Sequence, residues 1–420
     1  MASIADYHNE IYAAGLADVR PALPTDLTRL ERLARRRLSD TAYGYVAGSA
    51  GTGATARANR AAFDRWRIVP RLLRDVSEPD LGVTVLGTAM PAPVILGPIG
   101  VLGIYHRDAE LHVARAAGAL GAPMILSTVS STRMEDVATT GDGPKWFQLY
   151  WPRERDIAAS LVERARAAGF TTLVVTLDTF RLAWRPRDLD HAFLPFLTGD
   201  GLTNYFTDPA FRRIVDSHNL AAESTDASRQ PYAAAESTDA SRPRYAAAES
   251  TDASRQRHAA AIDYWARIFG DPTLTWADLA WLRQRWSGPI VLKGIQHPGD
   301  ARRAIDAGMD GIVVSNHGGR QVDGAIGSLD ALPSIVDAAG DDLAVLFDSG
   351  IRTGSDVAKA LALGAKAVLI GRPYVYGLAL DGEAGVRHVL RTLYTELELT
   401  LTLAGVSRPA ELSADFLTRA

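Results

Sequence analysis

The sequence predicts an α/β protein built as a TIM (β/α)8 barrel, because eight short apolar runs alternate with helical patterns along the chain. Each run is almost continuously hydrophobic, which indicates strands that are buried on both faces and lie parallel under a layer of helices. Their spacing suits successive strand–helix units. The runs span residues 94–97, 123–127, 146–150, 172–178, 289–294, 311–317, 344–349 and 367–372.

Two segments stand outside this pattern. Residues 1–75 precede the first run and predict a helical extension that packs on the barrel, which takes residues 76–420. A long insertion at 190–262, between the fourth and fifth runs, has the position of a lid. We expect its flanks, residues 202–213 and 262–270, to contact the site or a neighbouring subunit.

The insertion contains a tandem repeat at about 222–260. The segment 223–229 recurs at 236–242 and 249–255, a period of 13 residues. The repeat unit is polar and cannot bury a core by itself, although its alanines permit local helix. We therefore interpret it as an expansion within a mobile loop. A surface insertion without a role is the favoured interpretation, and a lid or an interaction segment is the alternative.

Composition excludes several function classes. Hydrophobic residues make up 47% and charged residues 22% of the chain, as in an ordinary globular protein. The net charge of -4 gives no reason to expect nucleic-acid binding, and the basic run 35–37 fits a solvated helix face. The chain has no cysteine, and its nine histidines lack ligand spacing, so no metal site is expected. We expect a cytoplasmic enzyme without a membrane segment.

Polar residues occur at the ends of the apolar runs. Because the carboxyl ends of barrel strands form one rim, where the active sites of such barrels lie, these side chains predict a common site. The residues are Gln148, Tyr150, Thr176, Asp178, Lys293, Ser315, His317, Asp348 and Arg372.

The segment 315–321, Ser-Asn-His-Gly-Gly-Arg-Gln, carries the strongest chemical signal. A neutral imidazole at His317 can accept a proton near neutral pH, and the guanidinium of Arg320 can grip a carboxylate with two hydrogen bonds. The two glycines between them allow a tight turn and the close approach of a flat ligand. A base beside a carboxylate clamp suggests a 2-hydroxy or 2-amino acid substrate.

Glycine-rich turns at 348–354 and 370–373 follow the last two strands. Backbone N–H groups and arginines in these turns suit a phosphate, so a phosphorylated cofactor is expected. The glycines between 48 and 53 do not form a dinucleotide fingerprint, because their spacing is wrong and no strand precedes them.

With these motifs the chain resembles the FMN-dependent 2-hydroxy acid oxidases and dehydrogenases, over residues 30–405 apart from the insertion. The segment 315–321 matches the signature of that family. Segments 97–101, 184–188 and 202–209 are similar to those of lactate 2-monooxygenases. The resemblance implies bound FMN, a small L-2-hydroxy acid and O2 as substrates, and a homotetramer or homo-octamer.

The resemblance also implies catalytic roles. His317 would accept a proton from the substrate, and Asp178 would stabilise the resulting imidazolium. Tyr150 would hydrogen-bond the substrate oxygen at the reacting carbon. Lys293 would lie beside the flavin and stabilise its reduced form.

Binding roles follow from the same resemblance. Arg320 and Tyr45 would bind the substrate carboxylate, with Arg185 as a nearby positive charge and with Tyr150 and His317 completing the substrate site. The residues implied in cofactor binding are Pro98, Ile99, Gly100, Ser127, Gln148, Thr176, Lys293, Ser315, Asp348, Gly350, Arg352, Gly371 and Arg372.

Two positions depart from the simple oxidases of the family. Those enzymes usually have alanine where this chain has Gly100, and many have an aromatic residue where it has Val129. Both departures agree with a lactate 2-monooxygenase, which converts L-lactate and O2 to acetate, CO2 and water. The alternatives are an oxidase for lactate or another 2-hydroxy acid, which releases the 2-oxo acid and H2O2, and a barrel that binds FMN without turnover.

Overall fold

The eight apolar runs form a closed parallel barrel in the computed structural model of the chain, as predicted. The structure describes residues 6–222 and 252–420, so most of the tandem repeat lies outside the described residues. Each strand pairs with its neighbours in the sequence, and the last strand pairs with the first. The barrel strands are β1 (Val94–Leu96), β2 (Met124–Ser127), β3 (Lys145–Leu149), β4 (Leu173–Thr176), β5 (Ile290–Ile295), β6 (Gly311–Val314), β7 (Ala344–Phe347) and β8 (Ala367–Ile370).

Helices surround the barrel, precede it and fill part of the insertion. Those before β1 are α1 (Asp6–Gly15), α2 (Leu30–Arg37), α3 (Asp40–Ala47) and α4 (Ala54–Asp64). Those between β1 and β4 are α5 (Ala109–Ala119), α6 (Met134–Ala138) and α7 (Arg155–Ala167). Those between β4 and β5 are α8 (Pro186–Asp190), α9 (Thr203–Phe206), α10 (Pro209–Ala222), α11 (Asp252–Ile268) and α12 (Leu279–Arg283). The last four are α13 (Pro298–Asp306), α14 (Ser328–Ala339), α15 (Gly354–Ala362) and α16 (Arg372–Leu403).

The inside of the barrel is a packed apolar core. Inward-facing side chains from the strands meet there, including Ile95, Val174 and Val313. A hairpin of strands Val83–Val85 and Thr88–Met90 closes the amino-terminal end of the barrel, where the indole nitrogen of Trp146 donates to Thr88 Oγ1 over 3.1 Å. Because this end is filled, ligands have access to the barrel only from the carboxyl ends of the strands.

The segment before β1 brings further side chains to that open end. Ser39 caps α3 by accepting a hydrogen bond from the backbone of Ala42, and α3 ends before Gly48. The loop after α3 is anchored by the carboxylate of Asp323, which accepts from the backbone nitrogens of Thr52 and Ala54 at 2.6 and 2.7 Å. The β6–α14 loop is thereby tied to the N-terminal helices. Among the described helices, none combines the length and apolar character needed to cross a bilayer.

Candidate active site

A large cavity opens among the carboxyl ends of the strands, with a volume of about 1070 Å³ that includes its open mouth. Most of the predicted site residues line it: Tyr45, Pro98, Ile99, Gly100, Tyr150, Arg185, Lys293, His317, Arg320, Asp348, Gly350, Arg352, Gly371 and Arg372. The other predicted residues, Ser127, Gln148, Thr176, Asp178 and Ser315, do not belong to its lining.

His317 follows β6 in a turn of three residues with left-handed backbone. The φ values are 58° for His317, 66° for Gly318 and 75° for Gly319. A side chain on Gly319 would lie 2.6 Å from the backbone nitrogen of Ala56, so only glycine fits there. Histidine in this backbone conformation is uncommon, and such strain is typical of functional sites. The turn holds the imidazole against the cavity.

The imidazole of His317 has a carboxylate partner behind it. Its Nδ1 lies 2.8 Å from Asp178 Oδ1 and 3.1 Å from Thr179 Oγ1. Burial lowers the pKa of His317, despite the opposing charge of Asp178. For Asp178, burial raises the pKa, but the charges of His317 and Lys293 outweigh it and bring the pKa to about 2. The pair is therefore a neutral imidazole on an ionised carboxylate, and Nε2 remains to accept a proton.

Lys293 at the end of β5 is a buried cation with two partners. Its Nζ lies 3.1 Å from Asp348 Oδ2 and donates to Ser315 Oγ over 3.0 Å. Burial by itself lowers the pKa of Lys293, but Asp348 and Asp178 reverse the direction and raise it. A fixed positive charge thus faces the cavity at neutral pH.

Two arginines form a second positively charged region. Arg320 Nη1 donates to the carbonyl oxygens of Tyr45 and Gly48 at 2.6 and 3.0 Å, and its guanidinium lies over the Tyr45 ring. Arg185 Nε donates to the carbonyl oxygen of Arg320 over 3.0 Å, and its Nη2 donates to Gln321. These bonds use only part of each guanidinium, so both retain donors for an anion.

The far side of the cavity suits a phosphate. Gly350 has a φ of 114°, and a side chain there would meet Phe63 Cε2 at 2.9 Å. Gly371 precedes the first residue of α16, so the N-terminus of a helix faces the same region. Arg352 and Arg372 add positive charge there, and although burial lowers the pKa of Arg372 to about 10, it is protonated at neutral pH.

The residues present fit the FMN that the resemblance implies. Gln148 Nε2 is buried and has no hydrogen-bond partner within the described residues, while its Oε1 accepts from Ser127 Oγ over 2.9 Å. A buried donor without a partner is costly, and a ligand acceptor would satisfy it. Ser127 in turn lies 3.6 Å from where a side chain on Gly100 would begin. Lys293, the glycine turns, Arg352 and Arg372 supply the charges and space for the rest of the cofactor.

The sequence alone did not identify every lining residue. Apolar side chains from the segment between β4 and β5 form part of the cavity wall: Leu182, Phe196 and Phe269. Phe269 contacts the Tyr150 ring with a centroid distance of 5.4 Å and stacks with Phe196 at 6.2 Å. Phe269 lies within the flank 262–270, whereas the flank 202–213 contributes nothing to the lining. Thr179, next to Asp178, was also missed, as were the lining residues Val46, Tyr105, Ser349, Ile351 and Leu369.

Comparisons with known proteins agree with this geometry. The family model described as FMN-dependent dehydrogenase matches residues 34–419. The chain is 45% identical over 415 residues to an FMN-dependent alpha-hydroxy acid dehydrogenase of Penicillium citrinum, covering 98% of this chain and 95% of that protein. It is 41% identical over 385 residues to an L-lactate oxidase of Lysinibacillus sphaericus, covering 91% and 90% respectively.

Solved structures show the same fold. A soluble mutant of the membrane-associated (S)-mandelate dehydrogenase from Pseudomonas putida superimposes with a TM-score of 0.78 at 36% identity, covering 95% of this chain and 100% of that chain. A mandelate oxidase crystallised with (S)-4-hydroxymandelic acid superimposes with a TM-score of 0.77 at 35% identity, covering 94% and 99%.

Proposed function

The chain belongs to the FMN-dependent dehydrogenase family, and from this premise we propose that it is a lactate 2-monooxygenase. FMN is its cofactor, and 2-hydroxy acid oxidation is the activity that its relatives support. The observation that carries the proposal is the neutral imidazole of His317, held by the ionised Asp178, beside two arginines in one cavity. A base and a carboxylate clamp at this spacing suit a 2-hydroxy acid.

Bound FMN supplies the acceptor for the two electrons that leave the substrate. His317 takes a proton from the substrate at Nε2, since Nδ1 is held by Asp178 at 2.8 Å. Asp178 then stabilises the imidazolium, because its low pKa keeps it ionised. Burial raises the pKa of Tyr150 to about 12, so its hydroxyl stays protonated and can donate to a substrate oxygen.

The substrate carboxylate binds to Arg320, with Arg185 as a second cation and Tyr45 beside them. Both guanidiniums are positioned in advance by hydrogen bonds to backbone carbonyls, so little side-chain entropy is lost when the anion binds. Lys293 keeps its charge through Asp348 and stabilises negative charge that develops at the cofactor.

The cavity wall supports the monooxygenase branch. Phe196 from the insertion and Phe269 from its flank, with Val129, give the site a wall of apolar surface. Such a wall slows the escape of the 2-oxo acid and peroxide, and retained peroxide can attack the oxo acid and drive loss of CO2. An L-lactate oxidase is the second candidate, since relatives of that name are 41% and 40% identical to this chain.

Aerobic turnover of L-lactate by the FMN-loaded protein tests the proposal. Acetate, pyruvate and peroxide are quantified against the O2 consumed, with the His317→Gln variant as the control for background chemistry. Acetate equal to the O2 consumed, with little free peroxide, supports the monooxygenase. Pyruvate with matching peroxide makes the protein an oxidase, and turnover only of other 2-hydroxy acids changes the substrate.

A further inference from the structure

A buried carboxylate lies behind the two arginines of the site. Asp188 is on α8, whose first turn brings it back to Arg185: its backbone nitrogen donates to the Arg185 carbonyl over 3.1 Å. Its Oδ2 lies 3.9 Å from Arg185 Nη1. The exposed fraction of Asp188 is only 9%, and that of Arg185 is 6%.

Asp188 also faces the second arginine. A side chain built on Gly48 would begin 3.5 Å from Asp188 Oδ1 and 3.8 Å from Arg320 Nη1, so these two groups border the same small space. Asp188 Oδ1 is buried and has no hydrogen-bond partner among the described residues. The carboxylate is therefore held by charge rather than by a full set of hydrogen bonds.

We propose that Asp188 is a positioning residue and counter-ion that leaves the pair Arg185–Arg320 with one net positive charge, and thereby selects 2-hydroxy monocarboxylates over 2-hydroxy dicarboxylates. The inference rests on the proposed function in treating these arginines as the carboxylate clamp. Without Asp188, the buried guanidinium of Arg185 and the half-buried one of Arg320 would repel each other and would suit a dianion. With Asp188, one substrate carboxylate completes the neutralisation.

The other charges of the cavity leave no cation for a second carboxylate. Lys293 is paired with Asp348 at 3.1 Å. Arg352 and Arg372 lie on the side of the glycine turns that suits the cofactor phosphate. The wall formed by Phe196 and Phe269 is apolar, and burying an unpaired carboxylate against it would be costly.

Calorimetric titration of the FMN-loaded protein with propionate, a monoanion, and malonate, a dianion, tests the inference. The wild-type protein is expected to prefer propionate. In Asp188→Asn the ratio of the malonate Kd to the propionate Kd should fall at least about tenfold, since the isosteric amide removes the charge alone. Asp188→Glu keeps the charge and should change the ratio by less than about threefold. An unchanged ratio in Asp188→Asn would overturn the inference.

The double variant Asp188→Asn/Arg185→Gln restores one net positive charge and should regain the preference for propionate. It also decides the question if Asp188→Asn alone does not fold, which two uncompensated buried cations would explain. A double variant that fails to fold, or that keeps the altered ratio, would contradict the role in charge balance.

Kinetics separate this inference from the proposed function. With L-lactate, Asp188→Asn should lower KM and change kcat by a smaller factor, because the arginine pair then presents more positive charge to the substrate carboxylate. If the wild-type protein turned over no 2-hydroxy acid, the proposed function would fail, while the carboxylate titrations would still decide whether Asp188 sets the charge of the arginine pair.

Discussion

The site has two halves that differ in what holds them. The first consists of residues at the ends of barrel strands, such as Lys293, His317 and Asp348, which are fixed by the hydrogen-bonded barrel and by buried ion pairs. The second consists of Tyr45, Arg185, Arg320 and the apolar wall, which come from the N-terminal helices, the segment between β4 and β5, and the β6–α14 loop. The strand ends carry the proton chemistry, and the loops carry substrate recognition. Mutations in the first half should change the rate, and those in the second should change binding.

Substitution of the base should have the largest effect. His317→Gln keeps a polar side chain but removes the proton acceptor, so reduction of the bound flavin by L-lactate should slow by about 10²- to 10⁴-fold. Anaerobic stopped-flow absorbance measures this rate. His297→Gln, outside the cavity, is the matched control. Flavin reduction at the wild-type rate in His317→Gln would show that His317 is not the base and that the strand-end residues do not carry the proton transfer.

Substitution of the carboxylate-binding Arg320 should change substrate binding rather than the rate of flavin reduction. Arg320→Met removes a charged partner of the substrate carboxylate, and we expect KM for L-lactate to rise by about 10²-fold, in line with the loss of a buried charged contact. Arg320 also bonds the carbonyls of Tyr45 and Gly48, so Arg320→Lys, which keeps the charge but not the fork, serves as the comparison. Unchanged substrate affinity in Arg320→Met would place the clamp elsewhere.

The same division explains what the sequence predicted. All eight strands were predicted because buried parallel strands read as continuous apolar runs, and the polar residues that end six of these runs mark the rim. The family membership and the cofactor were likewise confirmed. Phe269 lies in a flank, 262–270, that was expected to contact the site or a neighbouring subunit, but it was not singled out. Phe196 was missed because it lies in an insertion whose path no local periodicity encodes. Asp188 was quoted only as part of a motif, since a counter-ion is defined by partners that folding brings together.

The pH dependence should report the strand-end half alone. Burial places the pKa of His317 below its ordinary value of 6.5, and the base must be unprotonated to act. Therefore kcat/KM should be level above pH 6.5 and fall about tenfold per pH unit below the depressed pKa. Because the unfolded chain binds this proton more readily, stability should decrease as the pH falls from 6.5 to the depressed pKa. An acidic limb centred above 6.5 would contradict this assignment.

Gly100 and Val129 both line the cavity and lie close to each other. A side chain on Gly100 would begin 2.5 Å from Val129 Cγ2, so the two departures from the simple oxidases are sterically coupled. Gly100→Ala should destabilise the protein by about 1–3 kcal/mol through overpacking, and adding Val129→Ala should recover most of that loss. Thermal unfolding of the FMN-loaded double variant and of both single variants, Val129→Ala included, measures these changes. A double variant destabilised by the sum of the two single variants would show that the two positions are independent.

The smallest effect is expected at Thr179, which lies between the halves. Its hydroxyl donates to Asp178 Oδ1 over 3.0 Å and lies 3.1 Å from His317 Nδ1, so it orients the pair without being needed for its charge. Thr179→Val should slow flavin reduction by about two- to tenfold, because the hydroxyl orients the pair and takes no part in the proton transfer, and should shift the acidic limb of kcat/KM. Thr179→Ser keeps the hydroxyl and should behave like the wild type. A purely structural role would not shift the acidic limb of the kcat/KM profile. If this limb is unshifted in Thr179→Val, Thr179 acts only in packing and does not tune the pair of His317 and Asp178.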